Sequence, residues 1–438
     1  MADLTTNFAG IRSPNPFWIA SGPPANSAHQ THRAFEAGWG GVVWKTIGDP
    51  IVNTASRYSA LNSGSTRMIG FNNIELISDR SAETNFREIA DVKKRWPHHA
   101  VIASLMVESR EQWHEFVKRA ADAGADGIEL NFGCPHGMCE RGMGSAVGQQ
   151  PQVAERITGW VMEAASIPVI VKLTPNITDI TATARAAKRG GANAISLINT
   201  INSITNVNLD TFASEPTVRG MSSHGGYCGP AVKPIALNMV QACAADPDVC
   251  VPISGIGGIA SWRDAAEFIA LGASTVQVCT AVMHYGFRVV EDMIDGLNSY
   301  LDDKGMKCVS ELCGRSVSKI APWETLDLKF HRVAQINYDL CIGCNLCYIA
   351  CEDGAHQCID LLTPESVAVD NGPGRIPHKP IPKVRADDCV GCNLCSLVCP
   401  VDSCITMVEV ESGEPPMSWS EYQRRLAAGE IAPIPPHA

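Results

Sequence analysis

The stretch "AADAGADGIELNF", residues 120–132, decides the fold: a helix-like segment ends in a glycine and an apolar run follows. The same design recurs in "AFEAGWGGVVWKT" (34–46), "AAKRGGANAISLINT" (186–200) and "FIALGASTVQVCTA" (268–281). Glycine stops each helix because it tolerates left-handed backbone, and a Val/Ile/Leu-rich run suits a strand buried on both faces. "PFWIASG", "VIASLM", "VIVKLT" and "VPISGIGG" add four more apolar runs. The candidate strands then lie near residues 16–21, 41–47, 101–106, 127–132, 169–174, 194–200, 251–257 and 275–281, with helical patterns between them. This alternation predicts an α/β chain whose residues 1–305 form a TIM (β/α)8 barrel, in preference to an open doubly wound sheet.

Active sites of such barrels collect at the C-terminal ends of the strands. The residues found there are Ala20 and Ser21, Lys45 and Thr46, Asn131 to Cys134, Lys172, Asn199 and Thr200, Gly257 and Gly258, and Cys279 and Thr280. Lysines at the ends of two mostly apolar strands would each bury a charge unless an anion or polar ligand received it. The glycines of "GIGG" after strand seven, with Cys279 and Thr280 after strand eight, occupy the usual phosphate position of a barrel, where backbone N–H groups face an anion. No GxGxxG fingerprint with a following acidic partner is present, so no nicotinamide-binding domain is expected.

The chain has 438 residues, 18 of them cysteine, and a net charge of -11. That acidity disfavours nucleic acid as a partner, because phosphate binding needs a basic face. The opening "MADLTTNFAG" lacks the features of a secretory signal, and no apolar run nears the roughly 20 residues that span a bilayer. The expectation is a cytoplasmic protein with no membrane role, where closely spaced cysteines are metal ligands rather than disulfides.

Two motifs, "CIGCNLCYIAC" and "CVGCNLCSLVCP", share the C-x2-C-x2-C-x3-C spacing. That spacing wraps three thiolates around one cubane and sends the fourth to its neighbour. Cys341, Cys344, Cys347 and Cys399 are thus expected to hold one [4Fe-4S] cluster, and Cys389, Cys392, Cys395 and Cys351 the other. Zinc sites would use pairs of cysteines without the third and fourth in register. Glu352 stands where proline often follows such a motif. Cys308, Cys313, Cys358 and Cys404 fall outside the pattern and read as small hydrophobes. These features predict a small ferredoxin-like two-cluster domain at 335–410, a linker at 306–334 and a tail at 411–438. Residues 364–384, rich in Pro and Gly, read as a loop. Two adjacent clusters form an electron relay and require a redox centre at its end. A barrel with a phosphate site and buried lysines points to FMN.

The segments "ELNFGCPHGMCERGMGSAVGQ", "VKLTPNITDI", "NTINSITN", "GGYCGPAVKPIAL" and "ISGIGGI" together resemble the dihydropyrimidine dehydrogenase family, in its bacterial flavin-bearing subunit form. The resemblance runs from "NPFWIASGPP" to the second cysteine motif. It implies an FMN barrel of the dihydroorotate dehydrogenase kind joined to two [4Fe-4S] clusters. A separate subunit would bring FAD and the NAD(H) site, making a hetero-oligomer. The implied reaction is reversible reduction of uracil or thymine at the 5,6 double bond.

By the same resemblance Lys45 and Lys172 contact FMN, with Ala20, Ser21 and Thr46 also at the cofactor and Asn131 and Asn199 near both flavin and substrate, while Asn73, Glu75, Asn131, Asn199 and Thr200 meet the pyrimidine. Paired donors and acceptors of this kind suit a ring with alternating C=O and N–H groups. Gly225, Gly226, Gly257, Gly258, Cys279 and Thr280 hold the ribityl phosphate. Cys134 in "NFGCPH" matches the acid-base cysteine, and Gly133 departs from the family, whose members often carry serine there. Saturating a uracil needs hydride at C6 and a proton at C5, and a thiol can give or take that proton. The alternative for Cys134 is a buried structural cysteine. Glycines at 133, 137, 142, 144 and 148 read as hinges of a closing loop, and His136 either orients that loop or lies exposed. Two other functions compete: a flavin reductase acting on dihydroorotate or another cyclic amide, and a non-catalytic electron-transfer module.

Overall fold

The computed structural model describes residues 1–52, 54–135, 142–362, 380–411, 413 and 415–433. The chain divides into two compact units, Met1–Ile320 and Ala321–Ala438.

In the first unit eight parallel strands close into a barrel: β1 (Phe17–Ile19), β2 (Gly41–Val43), β3 (Ala100–Leu105), β4 (Gly127–Asn131), β5 (Val169–Lys172), β6 (Ala194–Leu197), β7 (Ile253–Ile256) and β8 (Ala273–Val278). Each strand pairs with its neighbours in chain order, and β8 returns to β1 with Val276 opposite Phe17. Every residue of β3 and β5 is buried, as the double-sided burial of a barrel strand requires. Helices cover the outside. Ser27, Ser81, Ser109 and Ser261 start four of them, each side chain accepting the backbone N–H three residues on. Gly38 and Gly272 follow the ends of the helices that Ser27 and Ser261 start, at φ 112° and 108°, a conformation that would strain any side chain with a Cβ.

The N-terminal end of the barrel is shut. An antiparallel hairpin, Thr6–Phe8 with Ile11–Ser13, packs Phe8 and Ile11 against Trp18, Val43 and Ile170. The C-terminal end carries an addition. Excursions after β2 and β6 form a four-stranded antiparallel sheet in the order Ile201–Ser203, Gly225–Cys228, Thr66–Asn73 and Tyr58–Ser63. The unit also runs past residue 305, because Met306, Val309 and Leu312 are buried in the barrel's core and the Val309 N–H donates to Asp3 O at 2.9 Å. Residues 306–320 are therefore part of this unit rather than a free linker.

In the second unit Arg332–Ile336 runs antiparallel to Ile405–Glu409, and Ile359–Leu362 to Ile381–Val384. The second pairing corrects the end of the expected 364–384 loop. A two-stranded ribbon has an edge on each strand, so Pro382, which has no N–H, fits there. Residues 364–379 of that stretch lie outside the described residues. Helices Leu346–Gly354 and Leu394–Leu397 each begin inside a "CNLC" segment, after Asn345 at φ 59° and Asn393 at φ 70°. The expected tail contains a helix, Trp419–Ala427, capped by Ser418, whose Trp419 ring lies tilted against that of Trp323, with centroids 6.2 Å apart. Among the described residues no helix is long and apolar enough to cross a membrane.

Candidate active site and cluster cavities

The C-terminal ends of the barrel strands surround a cavity, with Tyr58, Phe71, Asn73 and Tyr227 of the added sheet among its lining. Ala20, Ser21, Lys45, Thr46, Asn131, Cys134, Lys172, Asn199, Thr200, Gly257, Gly258, Cys279 and Thr280 all border it, as do Asn73 and Glu75. Residues from opposite ends of the barrel sequence are thus brought to one space. His136 and Gly137 lie outside the described residues.

The two lysines find protein carboxylates, where an anion or polar ligand was the expected receiver. Lys45 pairs with Glu75, which also accepts from Arg57 at 3.0 Å and from the Tyr58 hydroxyl at 3.3 Å. Burial works against the ionised Glu75, but Lys45 and Arg57 outweigh it and hold the carboxyl below its ordinary range. Burial and the Glu75 charge push the Tyr58 phenol up, so it stays a donor. Lys172 lies 3.7 Å from Oε1 of Glu129, a fully buried carboxylate inside the barrel. Oε2 of Glu129 accepts from Ser196 at 2.8 Å and from Gln277 at 3.1 Å. Among the described residues Glu129 Oε1 and Gln277 Oε1 have no hydrogen-bond donor. Lys172 therefore has a counter-charge below it and the cavity above it.

A chain of amides fixes the wall beside the lysines, where Asn131 pairs in register with Lys172. Asn131 Nδ2 donates to Thr46 Oγ1 at 3.0 Å, while its Oδ1 accepts from Asn199 Nδ2 at 2.9 Å and from the Gly133 N–H at 3.2 Å. Asn199 Oδ1 accepts from the Thr200 N–H at 2.8 Å. Asn73 Nδ2 donates to Gly226 O at 2.9 Å, across the paired strands of the added sheet. Each amide orients the next, which sets the donors and acceptors before any ligand arrives.

Cys134 borders this amide wall, just past the end of β4, and packs with Ile77, Met106 and Met143. Three of the glycines expected as hinges also have a steric role. A Cβ on Gly133 would come within 2.4 Å of the Asn199 Cβ, one on Gly144 within 2.7 Å of Cys134 O, and one on Gly148 within 2.0 Å of Phe132 O. These glycines allow close approach of neighbouring groups, and Asn199 fills the room that a serine at 133 would take. Two other cysteines border the cavity. Burial pushes the Cys279 thiol up to about 12 and that of Cys228 to about 11, so both remain protonated near neutral pH.

The phosphate end requires a correction. Gly225 and Gly226 are buried strand residues, paired with Ser203, Asn202 and Asn73, and do not border the cavity. Gly229 does, with Gly257 and Gly258. Gly229 and Gly258 take φ 90° and 77°, and a Cβ on Gly258 would lie 2.9 Å from Gly229 O. Only bare backbone fits this junction, which is the construction that phosphate oxygens need. The Gly-Pro dipeptide at 229–230 is the turn signal that marks Gly229 in the sequence. Glycine backbone at one end, Lys45 and Lys172 toward the other and the orphaned Gln277 oxygen on the cavity wall match a flavin mononucleotide in charge and polarity.

In the second unit Cys341, Cys344, Cys347 and Cys399 border one cavity, and Cys351, Cys389, Cys392 and Cys395 another. Each ring takes three cysteines from one motif and one from the other. Among the described residues no group of three or more His, Cys, Asp or Glu side chains gathers closely enough for a single metal ion. Thiols that ring a space instead of converging on a point suit a cluster better than zinc. Cys358 and Cys404 also border these cavities, a placement their positions outside the motifs did not suggest.

A family profile described as dihydroorotate dehydrogenase matches residues 3–301, and one described as a 4Fe-4S dicluster domain matches residues 334–407. The NAD-dependent dihydropyrimidine dehydrogenase subunit PreA of Escherichia coli is 45% identical over 360 residues, 82% of this chain and 87% of the relative. The chloroplastic dihydropyrimidine dehydrogenase (NADP(+)) of Arabidopsis thaliana is 42% identical over 328 residues, 72% of this chain and 77% of the relative. The catalytic subunit of dihydroorotate dehydrogenase B (NAD(+)) from Pyrococcus horikoshii is 36% identical over 312 residues, 71% of this chain and 97% of the relative. With a barrel built around a cavity lined by glycine backbone and two lysines and a second unit built around two rings of cysteine, the chain belongs to the dihydropyrimidine dehydrogenase family of flavin and iron-sulfur oxidoreductases.

Proposed function

We propose that this chain is the FMN and iron-sulfur subunit of an NAD-dependent dihydropyrimidine dehydrogenase, reversibly reducing the 5,6 double bond of uracil or thymine. The observation that carries the reading is the meeting of Cys134 with the interlocked amides of Asn131 and Asn199 on one cavity wall. Thr200 and Asn73 complete the set that would hold the ring's alternating C=O and N–H groups. Lys45, Thr46, Lys172, Ala20 and Ser21 would hold the flavin, and Gly229, Gly257, Gly258, Cys279 and Thr280 its phosphate. Glu75, held ionised by Lys45 and Arg57, offers a carboxylate acceptor toward a ring N–H.

When bound, FMN supplies the hydride exchange at C6. Cys134 gives the proton to C5 in the reducing direction and takes it in the oxidising one. Because Cys279 and Cys228 are held as thiols by burial, they serve the cavity as packing and hydrogen-bonding groups rather than as bases. Cys341, Cys344, Cys347 and Cys399 would ligate one [4Fe-4S] cluster, and Cys351, Cys389, Cys392 and Cys395 the other. The second unit then gives electrons a route to a partner subunit carrying FAD and the NAD(H) site, in a hetero-oligomer placed in the cytoplasm.

Anaerobic titration of the oxidised chain with dihydrouracil, dihydrothymine and dihydroorotate tests this. Flavin bleaching by the dihydropyrimidines and not by dihydroorotate is expected. Bleaching by dihydroorotate alone would replace the reading with the activity named for the Pyrococcus relative.

A further inference from the structure

The two halves of the cluster unit repeat more than their motifs. Cys358 stands immediately before the strand Ile359–Leu362, and Cys404 immediately before Ile405–Glu409, each followed by isoleucine. Their exposures are 4% and 2%. Each of the two cysteine rings thus has a fifth sulfur on its wall, supplied by the start of the strand that follows a motif.

At Cys358 the local backbone explains the placement. After the helix Leu346–Gly354 the chain folds back on Cys351, whose carbonyl accepts from the N–H groups of Ala355 at 3.2 Å and Gln357 at 3.1 Å. Gln357 adopts φ 54° in this turn. The next residue is Cys358, whose own N–H donates to Cys351 Sγ at 3.3 Å and whose Sγ lies 3.5 Å from Cys351 Sγ. The carbonyl of Cys358 accepts from the Arg385 N–H at 2.8 Å, which ties the residue to the opposite strand's end. A small hydrophobe would satisfy the packing without placing a second sulfur beside the first.

We propose that Cys358 is a reserve ligand of the cluster ringed by Cys351, Cys389, Cys392 and Cys395, able to take over the iron held by Cys351. This rests on the ligand partition given under the proposed function. In the exchange the Fe–S bond to Cys351 breaks and one to Cys358 forms. The proton leaving the Cys358 thiol passes to the released Cys351 thiolate across the contact between them, and no electron moves. Only side-chain rotation is required, because both sulfurs already border the same cavity.

The test uses the full chain, purified anaerobically, as wild type, Cys351→Ala, Cys358→Ala and the double variant. Alanine is chosen because a serine oxygen could itself bind iron. Iron, acid-labile sulfide and electron paramagnetic resonance are measured, with FMN per chain as the check that the barrel has folded. Both single variants are expected to keep about eight irons and eight sulfides, and the double variant to fall to about half. A displaced resonance from one reduced cluster is expected in Cys351→Ala alone, reporting the exchanged thiolate. A three-iron centre, or loss of one cluster, in Cys351→Ala with Cys358 intact would overturn the proposal. Loss of a cluster in Cys358→Ala alone would overturn the ligand partition itself, since Cys358 would then be the ordinary ligand.

Discussion

The barrel unit has a large apolar core running from Leu4 to Leu312, with two smaller apolar clusters beside it. Among the described residues of the cluster unit, six of the eleven in the buried core are cysteines. The first can be stable on burial of hydrocarbon alone. The second has placed its metal ligands where its core should be, and the few aliphatics, such as Val333, Ile336, Ile359 and Ile405, cannot replace them. Cofactor and fold are therefore separable in one unit and inseparable in the other.

Removing iron anaerobically with a chelator should break the molecule along this division. Amide exchange over residues 332–409 is expected to rise to that of an unfolded chain, while β1 to β8 stay protected and the flavin absorbance persists. Equal loss of protection in both units would abolish the contrast. Within the barrel, Cys134→Ala should slow anaerobic single turnover of pyrimidine by roughly 10²–10⁴ while leaving flavin and iron content unchanged. A near-normal rate would return Cys134 to a packing role.

Smaller effects sharpen the picture of a barrel whose polar groups are internally paired. Lys172→Met leaves Glu129 buried without its cation, which should destabilise the barrel by about 3–5 kcal/mol. Urea unfolding read by tryptophan fluorescence would measure it, and adding Glu129→Gln should recover much of the loss. Gly133→Ser should cost about 1–3 kcal/mol, because its Cβ would overlap Asn199. An unchanged urea midpoint would mean that Asn199 moves aside freely. Glu75 gives the smallest effect. Its carboxyl is held below the ordinary value of 4.5, so its contribution is complete above that pH and is lost as pH falls through the folded value. Arg57→Met should raise the folded value and shrink the stability difference between pH 7 and pH 3. The expected change is under about 1 kcal/mol, since Arg57 is partly in solvent. A larger acid-dependent term in the variant would contradict the direction assigned to Glu75.

The barrel was legible in the sequence because its signal is local: Gly38 or Gly272, then a run of apolar residues, is visible without knowing what it packs against. Cysteine spacing is local in the same sense. The added sheet was not legible, since strands such as Ile201–Ser203 and Gly225–Cys228 are short and polar and gain order only from each other. Reading Gly225 and Gly226 as cavity residues, when Gly229 borders the cavity, followed from that. The carboxylates facing Lys45 and Lys172 depend on tertiary approach, and nothing about residues 75 and 129 in the sequence announces the pairing. Cys358 and Cys404 were missed for a related reason: a regular spacing draws attention to its members and away from a sulfur delivered by the next strand.

The pairing of Arg332 opposite Glu409 has a consequence for how such modules are combined. The strand that leads into the first cysteine motif and the strand that leaves the second lie side by side, so the segment begins and ends at one spot. A piece of chain with adjoining ends meets the geometric condition for being spliced into a surface loop of another protein, or removed from one, without pulling the host apart. In modular terms the cluster segment is a cassette with a single point of attachment, suited to being carried between oxidoreductases by gene fusion.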